Sequence, residues 1–137
     1  MSKVNEGRVF VPKGWGYEDW VVNKPEYCGK ALFVKKGKKC SWHYHKLKDE
    51  TFLLHSGELL LRYFTEAELR ELETSGRAEE EVCLLPTIHH TIILRPGDSF
   101  HVPVGMRHQF QAVVDSVLYE FSTQHFDEDS YRVIRGD

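Results

Sequence analysis

Apolar and polar residues alternate along this chain in short runs, most of them closed by Gly or Pro. Alternation sends successive side chains to opposite faces of a strand, so the pattern predicts a mostly β protein. Early strands are predicted over residues 9–11, 20–22, 31–34 and 41–45. In the last of these, Ser41, His43 and His45 share one face, while Trp42 and Tyr44 take the other. Cys40 stands an odd number of residues from His43 and is expected on the face away from it. Runs over 52–55 and 58–64 flank Ser56-Gly57, which reads as a hairpin turn. Residues 91–94, 99–102, 108–113 and 117–122 follow, divided by Arg95-Pro96-Gly97-Asp98, Pro103-Val104-Gly105 and Asp115-Ser116. The period changes once. Thr65-Glu66-Ala67-Glu68 has capping-box spacing, and Leu69 and Leu72 recur three apart, which predicts a helix over 66–74 with a solvated acidic outer face. With no repeat, linker or low-complexity tract, residues 1–137 read as one domain: an all-β barrel or sandwich with one short inserted helix.

Composition narrows the class. A chain of 137 residues with 41% hydrophobic and 28% charged residues can bury a single core. A net charge of −3 offers no basic face to a row of phosphates, so nucleic acid is not an expected partner. Cys28, Cys40 and Cys83 share no metal or disulfide spacing, which suits a reducing compartment. Residues 1–12 carry charges and no long apolar run, and no run of 18 apolar residues occurs anywhere. The expectation is a soluble cytoplasmic protein with no membrane partner. The eight histidines stand out, because imidazole is the commonest metal ligand.

His43 and His45, two apart on one strand face, lie about 7 Å apart at Cα and converge on one side. Glu50 can return to that face if the strand continues or bends. Two imidazoles and a carboxylate fill one side of a coordination sphere and leave positions open for substrate. The remaining histidines offer less. His89 and His90 are adjacent and point to opposite faces, and His55, His101 and His125 have no spacing that ties them to the site.

The segment from Gly37 to Gly57 places His43, His45 and Glu50 at the spacing of the first cupin motif, and Gly97, Pro103, Gly105 and His108 fit the second. The family pattern ends in Asn where this chain has Ala112. The chain therefore resembles the cupins, and the resemblance implies a double-stranded β-helix barrel. It also implies one divalent metal ion (Fe, Mn, Ni, Co or Zn) on His43, His45, Glu50 and His108. The glycines of both motifs suit sharp turns with positive φ.

Both ends resemble the cupin-type mannose-6-phosphate isomerase domains. Near the start stands Gly14-Trp15-Gly16-Tyr17-Glu18. Near the end stand Glu120-Phe121-Ser122-Thr123-Gln124 and the acidic run from Asp127 to Arg132. This implies a carbohydrate substrate and aldose–ketose exchange through an enediolate, with Glu120 as base and Arg132 meeting a phosphate or sugar hydroxyls. An Fe(II) dioxygenase and a non-catalytic carbohydrate-binding cupin are the alternatives. Trp15, Tyr17 and Trp20 either face the sugar or simply pack. The exposed edges of such a barrel favour a homodimer, with the edge at 8–11.

Overall fold

The computed structural model describes residues 3–137; Met1 and Ser2, the start of the segment read for a leader, lie outside the described residues. Among the described residues, nine strands form one curled sheet: β1 (Val9–Lys13), β2 (Gly16–Lys24), β3 (Tyr27–Val34), β4 (Trp42–Tyr44), β5 (Glu50–Phe64), β6 (His90–Leu94), β7 (Ser99–Val102), β8 (Arg107–Ser122) and β9 (Tyr131–Ile134). Helices α1 (Glu66–Thr74) and α2 (Glu79–Leu84) join β5 to β6, and a 3-10 turn at Asp127–Asp129 precedes β9. The strand order is β1-β2-β3-β8-β4-β9, and β5 pairs with β6, β7 and β8, all antiparallel.

Two long strands replace the four short ones expected. The residues 52–55 and 58–64 are one strand, β5, and 108–113 and 117–122 are one strand, β8. Ser56-Gly57 and Asp115-Ser116 do not turn the chain back. They form facing bulges, where the β5–β8 register shifts between Leu54 and Leu59. Bulges bend and twist a strand without ending it, which lets one ladder wrap the barrel. Gly57 has φ +94°, and a Cβ there would strike the Ser116 side chain and the Asp115 carbonyl. Ser116 Oγ accepts from Glu58 N at 3.1 Å and donates to the Val114 carbonyl at 2.8 Å, stapling the bulge.

The inward row of each strand fills the barrel: Leu32, Val34, Phe52, Leu54, Leu59, Leu61, Phe110 and Leu118 are buried together. A second cluster lies outside the sheet, where Trp42, Phe64, Leu69, Val82 and Cys83 meet beneath the helices. Trp42 thus faces away from the imidazoles, as its alternation requires. Helix α1 has the expected bounds, with Thr65 and Glu68 forming a reciprocal capping box. A second helix, α2, corrects the expectation of one. It has six residues and no side-chain cap, so sequence offered no start signal, and the burial of Val82 and Cys83 holds it instead. No helix among the described residues is long and apolar enough to cross a membrane.

Candidate metal centre

Strand β4 has only three residues, yet it fixes the site. His43 pairs with His108 of β8 on one side and with Arg132 of β9 on the other. His45 follows two residues on, and Glu50 opens β5 beside Val102 and Ser122. One nitrogen from each of His43, His45 and His108 lies within 4.8 Å of the others. All three imidazoles place Nδ1 against a backbone carbonyl: Ser41 at 2.9 Å, Asp129 at 2.9 Å and Met106 at 3.0 Å respectively. A carbonyl only accepts, so hydrogen bonding assigns a proton to each Nδ1 and makes Nε2 the nitrogen through which each ring, when neutral, offers a lone pair. Burial, the largest cause, holds His43 well below the ordinary imidazole range and His108 below it, so both are neutral near pH 7.

Glu50 Oε2 points at the same spot, 3.1 Å from His45 Nε2 and 3.9 Å from His108 Nε2. Neither Glu50 Oε2 nor His108 Nε2 has a hydrogen-bond partner. Lone pairs therefore face one another in a buried space, an arrangement that costs free energy unless a cation lies among them. The donor set, three imidazoles and one carboxylate, fits a divalent transition metal. The carbonyls behind each Nδ1 are the kind of outer partner that orients metal-binding imidazoles.

His43, His45 and Glu50 line one wall of a cavity of about 740 Å³ that also receives Glu120 and Arg132, with His108 buried behind them. Glu120 lies in an inward row across four strands, with Lys30 and Phe52 as its direct neighbours and Trp20 beyond Lys30. Its Oε2 accepts from Lys48 Nζ at 3.1 Å and lies 3.9 Å from Lys30 Nζ. Burial alone would raise the Glu120 carboxyl, but Lys48 and Lys30 outweigh it and hold the group ionised, well below the usual carboxylate range. Burial likewise opposes the Lys48 ammonium, and Glu120 and Glu50 reverse that effect. Lys30 sits over the Trp20 ring at 4.3 Å and 3.6 Å from Glu18, whose carboxylate accepts from Trp20 Nε1 at 2.7 Å. Arg132 is exposed and lines the cavity.

Lys48 escaped the sequence reading although a signal existed. It stands two residues before Glu50, the same spacing that relates His43 to His45. Lys30 left a similar trace, a charge on the inward row of Cys28, Leu32 and Val34. Asp129 left none. Its buried carboxylate accepts from the amides of Lys46, Leu47 and Lys48 at 2.9, 3.0 and 3.0 Å, while its carbonyl orients His45. The 3-10 turn thereby shapes the loop that carries His45 and Lys48.

Cys40 corrects an expectation, because it lines the cavity and does not turn away from it. β4 begins only at Trp42, so strict alternation does not extend back to Cys40. Its sulfur receives the Phe110 amide and faces the Ser41 carbonyl, each at 3.3 Å, and burial pushes the thiol up to about 12, so it remains a structural thiol. Trp15 packs edge-on against Phe110, Trp20 faces the cavity, and Tyr17 stacks outside on Phe33. His55 lies tilted against the Tyr119 ring, while His90 and His101 pair with Glu68 and Asp49. His89 is buried beneath Trp42 and donates from Nδ1 to Val82 O at 2.8 Å. His125 alone of these lines the cavity, brought there by the chain after β8.

Residues 14–132 match the model of the D-lyxose isomerase family. A D-lyxose ketol-isomerase from Thermofilum sp. (strain ex4484_79) is 32% identical over 114 residues, which are 78% of this chain and 62% of that protein. One from Cohnella laeviribosi is 28% identical over 120 residues, 78% of this chain and 61% of that protein. The chain thus spans about three fifths of the length of these curated relatives. The capsular polysaccharide assembling protein CapF from Staphylococcus aureus superposes with a TM-score of 0.71 and 17% identity, over 96% of this chain and 33% of that chain. That likeness is one of fold, the cupin barrel expected above. With this barrel, its histidine cluster and a match over most of its length, the chain belongs to the D-lyxose isomerase family.

Proposed function

We propose that the protein is a metal-dependent aldose–ketose isomerase acting on an open-chain sugar of the D-lyxose type, with one divalent ion on His43, His45, Glu50 and His108. The observation that carries this reading is the juxtaposition of a four-residue donor cluster, three of whose members line the cavity, with a buried Lys48–Glu120 pair in the same cavity. When bound, the ion supplies Lewis-acid polarisation of the sugar carbonyl.

The chain's own residues account for the proton movements. Glu120 is ionised, and it takes the proton from the carbon α to the carbonyl, leaving an enediolate. The Lys48 ammonium, 3.1 Å from Glu120, donates toward the oxygen where charge develops. As that proton departs, Lys48 loses its charge and its hold on Glu120 weakens, so the carboxylate becomes a stronger base as the reaction needs one. Glu120 then returns the proton to the neighbouring carbon, and Lys48 is reprotonated from the other hydroxyl of the enediol, whose oxygen becomes the new carbonyl, which interconverts aldose and ketose without net gain of atoms or electrons. Trp20 offers an aromatic face to sugar C–H groups, and Arg132 at the mouth donates to hydroxyls.

The test is conversion of D-lyxose to its ketose by chain stripped of metal and reloaded singly with Mn, Co, Ni, Zn or Fe(II). Turnover restored by a metal and lost in Glu120→Gln is expected. Oxygen uptake with Fe(II) and no ketose formed would overturn the proposal in favour of a dioxygenase. Sugar binding without conversion under any metal would reduce the protein to a carbohydrate-binding cupin.

A further inference from the structure

His125 completes a chain of polar contacts that the proposed chemistry does not use. Lys48 Nζ lies 3.3 Å from His125 Nδ1, and His125 Nε2 lies 3.1 Å from Asp127 Oδ1. Lys48 is an ammonium and can only donate, so His125 Nδ1 must accept. Asp127 is a carboxylate and can only accept, so the imidazole proton sits on Nε2. The two ends of the ring thus demand one tautomer of a neutral imidazole. The ring is held by its surroundings as well, tilted against Trp20 at 4.9 Å, with its backbone tied to the Asn23 side chain through bonds of 2.8 and 3.1 Å. The Asp127 side chain is 85% exposed and that of Lys48 only 3%, so the contacts run from solvent to the cavity floor.

We propose that His125 is a positioning residue of the sugar site: its neutral ring accepts a hydrogen bond from Lys48 and so fixes the lysine amine between Glu120 and the substrate. Lys48 has three N–H donors, and Glu120 and His125 take two in defined directions. The third is left to aim at the Glu50 side of the cavity, where Glu50 Oε2 lies 4.0 Å away. Without His125 the amine can pivot about its single bond to Glu120, and its donor is no longer aimed. Protonating the ring has the same effect, because an imidazolium cannot accept and repels the ammonium.

The groups that face His125 are Lys48 from the loop before β5, Lys30 from β3, Glu120 from β8 and Asp127 from the 3-10 turn. Burial, then Lys30 and Lys48, lower its proton affinity against the opposing pull of Asp127 and Glu120. The accepting form is therefore the resting one near pH 7, and acid removes it.

The inference rests on the isomerase reading for its kinetic consequence but not for its geometry, and two measurements separate them. In metal-loaded full chain turning over D-lyxose, His125→Leu lowers kcat by about 10–100-fold, with KM changed far less, because the loss falls on the orientation of a proton donor. His125→Asn, which keeps an acceptor near Nδ1 but cannot titrate, recovers most of that loss and removes the acid limb of the parent's pH–kcat profile. A His125→Leu variant with parental kcat, or an acid limb that survives in His125→Asn, overturns the proposal. The second measurement needs no turnover. In ¹⁵N NMR of the metal-free chain, His125 shows a bare Nδ1 and a protonated Nε2, and the Lys48 Nζ resonance moves in His125→Leu. Absence of sugar conversion with these NMR results refutes the isomerase reading alone. A proton on His125 Nδ1, or a Lys48 resonance indifferent to His125→Leu, refutes the positioning role whatever the activity.

Discussion

Replacing Lys48 with Met tests the electrostatics of the cavity floor in the metal-free protein. The side chains of Lys48 and Glu120 are 3% and 7% exposed and lie 3.1 Å apart. At an effective dielectric near 20, two unit charges at that distance attract by about 5 kcal/mol. Lys30 stays 3.9 Å away in the variant and still supplies about 4 kcal/mol, so Glu120 is not abandoned. Removing one partner of a buried pair typically costs about 3–5 kcal/mol, and the remaining lysine places this case at the lower end, near 3 kcal/mol. Glu120→Gln in the same background removes the stranded charge, so the double variant should lose only about 1 kcal/mol relative to the parent. Denaturant unfolding of all four proteins at pH 7.5 measures the cycle, with an expected coupling of at least about 2 kcal/mol. The pH dependence provides a second check. Glu120 has its folded pKa below its ordinary 4.5, so the stability it contributes is complete above about 4.5 and is lost as pH falls. That acid loss should flatten in Lys48→Met. Independent, additive losses in the two single variants, or a Lys48→Met cost under about 1 kcal/mol, would show that the pair does not hold the floor together.

Three further outcomes are expected. Protein purified without added metal should carry about one equivalent of a divalent ion, and His108→Ala should weaken its binding by more than about 100-fold, since even outer-sphere losses reach that range; elemental analysis and chelator competition read this. Asp129→Ala should cost about 3–5 kcal/mol in denaturant unfolding, because it strips one buried and two part-buried amides of a charged, buried acceptor. His89 is buried with an unpartnered Nε2 and has its pKa lowered, chiefly by burial. Its unfolded form takes up a proton near pH 6.5 before the folded form does, so stability should fall as pH drops below about 6.5, by up to about 1.4 kcal/mol per pH unit. Thermal melts of His89→Phe across pH 7.5 to 5.5 should lack that component.

What depends on local period and spacing was legible in the amino-acid order alone. Alternation put His43 and His45 on one face and Trp42 on the other, the capping box delimited α1, and motif spacing singled out Glu50 and His108. These features are local, because a side chain's direction along a strand or helix follows from the residues beside it. Tertiary structure decided the rest. Turn-forming residues at Ser56-Gly57 and Asp115-Ser116 serve equally for a hairpin or a bulge, and only the β5–β8 pairing made them bulges. Helix α2 exists because a neighbouring apolar face buries Val82 and Cys83. Lys48 and His125 lie 77 residues apart, and Asp129 lies 81 from the amide of Lys48 that it caps. Such contacts carry no short-range periodicity. They form only when the barrel closes and β9 settles beside β4, bringing residues 125–134 against the loop that carries His45 and Lys48.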